Sequence, residues 1–124
     1  MDPTQSRSAR LQRALDDLMK QAPEIHGALV VSNDAFLVAA AVDDAETIGP
    51  IAAHLFDLAD KATQRLGQGR PQRVIVDASE GTLATVPAGP DAMLVAVIRK
   101  GAKLGVVLEL MVRWAGVVAG LMEY

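Results

Sequence analysis

Near the start of the chain, apolar residues recur at intervals of three and four: Leu11, Ala14, Leu15, Leu18, Met19 and Ala22. That spacing gathers them on one side of a helix, while Arg7, Arg10, Arg13, Asp17 and Lys20 take the other. It predicts a helix over residues 5–22, stopped by Pro23, which has no N–H to continue it. The period then changes. Residues 27–32 form a short Val-rich apolar run, which predicts a strand covered on both faces. Asn33 and Asp34 tolerate left-handed backbone and predict a turn, and residues 36–42 predict a second strand, completing a hairpin.

Asp43, Asp44 and Glu46 open a second helical pattern over residues 47–66. Acids there complement the helix dipole, Pro50 falls in the first turn, and Gly67 sits where a helix commonly ends in left-handed backbone. On a helical wheel, Ile48, Ile51, Ala52, Leu55, Phe56, Leu58, Ala59, Ala62 and Leu66 fill one arc, and Pro50, Ala53, His54, Asp57, Asp60, Lys61, Gln64 and Arg65 fill the rest. The apolar arc is wider than one sheet face requires, so this helix is expected to pack on the sheet and on something else. Three strands follow, over residues 73–78, 82–87 and 93–98. The first two are mixed, with Val74 and Val76 on one face of the first, and the third is wholly apolar. A helix over residues 104–122 closes the chain. The expected class is α/β (α+β), a single domain over residues 1–124 with residues 1–6 flexible. The order α-β-β-α-β-β-β-α, with short connections, predicts a five-stranded, largely antiparallel sheet with helices on both faces.

Composition narrows the functional classes. Half of the 124 residues are hydrophobic (51%), yet aromatics are 3%, so the apolar mass is Ala, Val, Leu and Ile. A membrane span needs about 20 nearly uncharged residues. Residues 106–122 come nearest, but Glu109 and Arg113 interrupt them, so no membrane insertion is expected. The polar N-terminus lacks the apolar segment of a signal peptide. With 12 basic and 15 acidic residues, the net charge of −3 offers no general attraction to phosphate backbones, and nucleic acid is not an expected partner. The absence of Cys excludes disulfides, thiol nucleophiles and Cys metal sites, and suits a cytoplasmic protein.

Catalytic constellations are missing as well. The sequence has no Walker phosphate loop and no Gly-x-Ser-x-Gly nucleophile elbow. Gly67-Gln68-Gly69 follows a helix rather than a strand. His26 and His54 lie in different elements with no second His at ligand spacing. Asp57 and Asp60, a turn from His54, read as a solvated helix face, and so do Arg7, Arg10 and Arg13. Asp77 is either a functional carboxylate or a strand-end residue holding a turn amide. Met111 and Trp114 read as packing. No enzyme activity and no cofactor are expected, and the surplus apolar surface points to an interaction module.

The element order, with three stretches of sequence, resembles the Roadblock family, the dynein light chain roadblock type. Ile25-His26-Gly27-Ala28-Leu29-Val30-Val31-Ser32-Asn33-Asp34 looks like the family's first hairpin and Arg73-Val74-Ile75-Val76-Asp77 like its third strand. Ala92-Met93-Leu94-Val95-Ala96-Val97, then Ala102-Lys103-Leu104-Gly105, looks like its fifth strand and the entry to the last helix. One departure is Ala35, where relatives often carry Gly. The resemblance implies a roadblock/profilin-like fold and a homodimer in which middle helices pair and third strands meet edge to edge. On this chain that interface falls on Ile51, Leu55, Leu58, Ala62, Val74 and Val76. Bacterial MglB-type relatives regulate small Ras-like GTPases, which dock mainly on the paired middle helices. The corresponding candidates here are His54, Asp57, Lys61, Gln64 and Arg65; Arg65 and Arg70 lie near that face and read as surface and loop residues, since such relatives leave the catalytic arginine to the GTPase itself. A structural adaptor dimer and a small-ligand sensor are the alternatives.

Overall fold

The computed structural model of the chain describes residues 6–123. Its centre is a pair of strands with no polar face: β1 (Ile25–Ser32) and β5 (Ala92–Arg99), antiparallel neighbours in which Ala28 faces Ala96 and Val30 faces Leu94. Such strands need cover on both sides. On one side lie α1 (Arg7–Gln21) and α3 (Leu104–Met122), whose Leu11, Leu15, Leu18, Val107 and Met111 bury Val30, Leu94, Ala96 and Ile98. On the other lies α2 (Ala45–Arg65), whose Ala52 and Phe56 bury Leu29, Val31, Met93 and Val95. The sheet is completed by β2 (Leu37–Ala41), β3 (Val74–Ala78) and β4 (Gly81–Pro87). Its order is β2-β1-β5-β4-β3, antiparallel throughout, so β2 and β3 are the edges.

The observed elements match the predicted ones to within two residues at each end, and their local causes are visible. Ser6 caps α1 by accepting the Ala9 N–H at 3.1 Å. The flexible segment expected over residues 1–6 otherwise lies outside the described residues. α2 ends in left-handed Gly67, with the Gly67 N–H donating to Gln64 and the Gln68 N–H to Thr63, the two bonds that close a Schellman motif. Met111 is buried as expected, and Trp114 packs partly buried while its Nε1–H donates to Gln21 Oε1 at 3.2 Å. The edge strand β2 is covered by α1, and there the Ala40 N–H donates to Gln12 Oε1 at 3.4 Å.

Four readings of the sequence are corrected. The left-handed residue of the hairpin turn is Ala35 (φ 70°), not Asn33 or Asp34; the turn closes by the Ala35 N–H donating to Ser32 O and the Ser32 N–H to Phe36 O. α2 starts two residues early, because left-handed Asp44 turns its carbonyl to the N–H groups of Thr47 and Ile48. Pro50 is therefore inside the helix rather than in its first turn, and exposed Glu46 is the residue whose carbonyl loses its donor. Asp77 lies within β3 opposite Thr82, exposed, and holds no turn amide. Finally, α3 is long and apolar enough, by length and composition, to cross a bilayer despite Glu109 and Arg113. Its packing against α1 and the sheet is that of a core helix on one side.

The turn generates a prediction. A non-glycine residue in left-handed backbone is disfavoured by about 1 kcal/mol or more, and glycine is not. Ala35→Gly is therefore expected to raise the unfolding free energy by about 0.5–1 kcal/mol, measured by urea denaturation.

Candidate interaction face

α2 carries two apolar stripes, not the single arc drawn from the wheel. Ala45, Gly49, Ala52, Ala53 and Phe56 point inward and are buried. Ala53, assigned to the polar side from sequence, belongs to this inner stripe, where it touches the sheet-side cluster of Leu29 and Met93. Ile51, Leu55, Leu58, Ala62 and, just past the helix, Leu66 lie about a third of a turn away. Among the described residues nothing covers them fully: Leu55 is half-buried, Ile51 is 56% exposed and Leu58 is 50% exposed. Phe56 is the last buried side chain of α2, so its final turns run beyond the sheet they cover.

The sheet is left open on the same side. α2 packs chiefly on β1, β2 and β5. The neighbouring part of the face, with Val76, Leu83 and Val97, lines a concavity of about 560 Å³ that also reaches His26 and Arg99. Val74 is half-buried and Val76 is exposed; they alternate with Ile75 and Asp77, and all of β3 past Val74 is exposed. An unprotected edge of this kind offers unpaired backbone N–H and C=O groups to another chain.

Polar residues flank the exposed stripe of α2 on its other side. His54, Asp57, Lys61, Gln64 and Arg65 are all exposed. Lys61 Nζ meets Asp57 Oδ2 at 3.0 Å one helical turn away, and Gln64 Nε2 donates to Asp60 Oδ1 at 3.3 Å. His54 and Asp57 line a shallow cleft of about 210 Å³ against the hairpin turn at Asn33, Asp34 and Ala35. Asp57 and Asp60 line a second, of about 360 Å³, with Asn33, Arg70 and Pro90. Among the described residues, no group of three His, Cys, Asp or Glu side chains is gathered as a metal site.

Sequence reasoning missed how the rim of these clefts is tied. The Arg70 guanidinium lies over the Phe56 ring, 5.5 Å from its centroid, and donates to the Gly89 carbonyl at 3.3 Å. Asn33 donates through Nδ2 to the Pro90 carbonyl and through its backbone N–H to that of Asp91. Three loops distant in sequence thus meet beside α2. The signals were an Arg in a Gly-rich loop and an Asn in a turn, neither of which names its partner. Arg70 is held by these contacts; Arg65 stands exposed on α2 itself.

A sheet of order β2-β1-β5-β4-β3 between one helix and a helix pair, with part of one apolar face left open, defines a small α/β domain. The Roadblock/LC7 domain model matches residues 11–98, and the chain belongs to that family. No curated protein sequence matches it. Among solved structures it is similar to a protein described as MglB with tetrameric arrangement, with 21% identity, 99% of this chain and 98% of that chain covered and a TM-score of 0.87. It is also similar to the gliding protein MglB of Thermus thermophilus, with 20% identity, 99% and 98% covered and a TM-score of 0.86. Profilin II of Acanthamoeba castellanii is a more distant likeness, with 17% identity, 89% and 97% covered and a TM-score of 0.67. At these identities the likeness establishes the fold, which is the roadblock/profilin-like one expected.

The Lys61–Asp57 pair is solvent-exposed, and such pairs contribute little. Lys61→Ala is expected to change unfolding free energy by less than about 0.5 kcal/mol in thermal or urea denaturation, so it serves as a well-folded probe of this surface.

Proposed function

We propose that the chain is a non-catalytic, cytoplasmic homodimer that binds a small Ras-like GTPase and modulates its nucleotide cycle. The observation that carries this reading is the exposed stripe of α2 beside the open edge strand β3, in a chain of the Roadblock/LC7 family. Pairing two copies through Ile51, Leu55, Leu58 and Ala62 and joining β3 to β3 would remove apolar side chains from water and satisfy an unpaired sheet edge together. Val74 and Val76 then lie under the partner. The same pairing would set two copies of His54, Asp57, Lys61, Gln64 and Arg65 side by side as one polar docking surface. No residue need perform chemistry there: a regulator acts by binding one nucleotide state of its target more tightly than the other.

Light scattering and a GTPase assay test this reading. The chain is expected to have the mass of a dimer or a larger even assembly, and Leu58→Glu, which sets a charge into the paired stripe, is expected to weaken that association at least tenfold. With a Ras-like GTPase from the same genome, tighter binding to one nucleotide state and altered hydrolysis or exchange are expected. Lys61→Glu should reduce that binding without loss of fold. Binding that ignores the nucleotide would mark an adaptor instead, and absence of binding in both states would overturn the GTPase reading.

A further inference from the structure

α3 buries Val107, Leu108, Met111, Ala115 and Val118. Its opposite side is not the polar face such a helix ordinarily turns to water. α1 presents Arg7, Arg13, Asp16 and Lys20 to solvent, whereas α3 presents Val106, Val112 and Val117, exposed by 54%, 47% and 42%. The charged residues of this face are Glu109 and Arg113, exposed, one turn apart, and without an ion pair inside the chain. Between the valines lie Gly105, Gly116 and Gly120, where an added Cβ would meet nothing within 4 Å. Packing within the chain therefore does not call for glycine at these positions, although glycine weakens a helix relative to alanine.

We propose that this face docks on the same face of a second copy of the chain, with the two α3 helices antiparallel about a twofold axis at the level of Met111. The face is complementary to itself in that register. Residues equidistant from Met111 meet, so Glu109 of each copy faces Arg113 of the other, on both sides of the axis. Val106 and Val117, eleven residues apart and so on one line of the helix, then meet each other's copies, and Gly105 meets the second copy's Gly116, where the missing side chains let the backbones come close. A parallel pairing would instead set Glu109 against Glu109 and Arg113 against Arg113. This contact shares no residue with α2 or β3, so it goes beyond the dimer proposed above and would join such dimers into larger assemblies.

Charge exchange tests it in a Leu58→Glu chain, where the α2 pairing is weakened, and each α3 variant is compared with that parent. The Leu58→Glu chain is expected to self-associate with rising concentration in analytical ultracentrifugation. Adding Glu109→Arg, or adding Arg113→Glu, gathers four like charges at the axis and should weaken self-association at least about tenfold. An equimolar mixture of these two variants restores both opposite-charge pairs and should associate again. Gly116→Ala should raise the melting temperature while weakening association, opposite signs that a merely structural role would not give. A Leu58→Glu chain that stays monomeric at several hundred micromolar, or variants whose mixture does not associate, would overturn the proposal. Capture of the chain on phosphatidylcholine vesicles, lost in Val106→Glu, would overturn it in favour of a lipid surface. If Leu58→Glu leaves the mass of the parent chain unchanged, the α2 reading fails by itself, and the charge-exchange series still decides the α3 contact.

Discussion

The structure depends on one antiparallel pairing, β1 against β5. Neither strand has a face that water can take, so the pair is stable only between two covering layers. The rest of the chain can be read as the supply of those layers. One side receives two helices, and they cover β1, β5 and β4 well enough to bury Ala84 and Val86. The other receives a single helix. One α-helix with its side chains is about 10 Å wide, and strands are spaced by about 4.8 Å, so it spans roughly two spacings and reaches three strands. A five-stranded sheet under one helix leaves apolar surface over, and here the remainder is Val97 of β5, Leu83 of β4 and Val76 of the edge strand β3. The open face follows from that mismatch of widths.

Much of this was legible along the chain, because what decides it is local. Periodicity located all eight elements, the unbroken apolar runs located the two central strands, and Gly67 marked the end of α2. What escaped was decided across the fold. Ala53 sits among polar neighbours on a helical wheel, yet it is buried in the same cluster as Leu29 and Met93, and no wheel contains the position of the sheet. Ala35 adopts left-handed backbone because the hairpin bonds to Ser32 and Phe36 require it there, against the preference of the residue itself.

The candidate face was legible to a lesser degree. An apolar arc too wide for one sheet could be counted from sequence. That it splits into a buried and an exposed stripe depends on where the sheet lies under α2. The clefts beside it were not readable, since Asn33, Arg70 and Pro90 are brought together only by the closure of three loops. α3 shows the opposite difficulty. Its composition satisfies a membrane test, and its packing shows one side in the core and one side bare, a distinction that average composition does not carry.

The two sheet edges differ in a way that governs growth. At β2, α1 lies alongside and Gln12 occupies the Ala40 N–H, whereas β3 has no such guard. Two sheets joined at their open edges, as in the proposed dimer, would present only guarded edges to solution. Strand addition would then have nowhere to continue, and a protein half made of hydrophobic residues would be kept from drawing its sheets into a fibre.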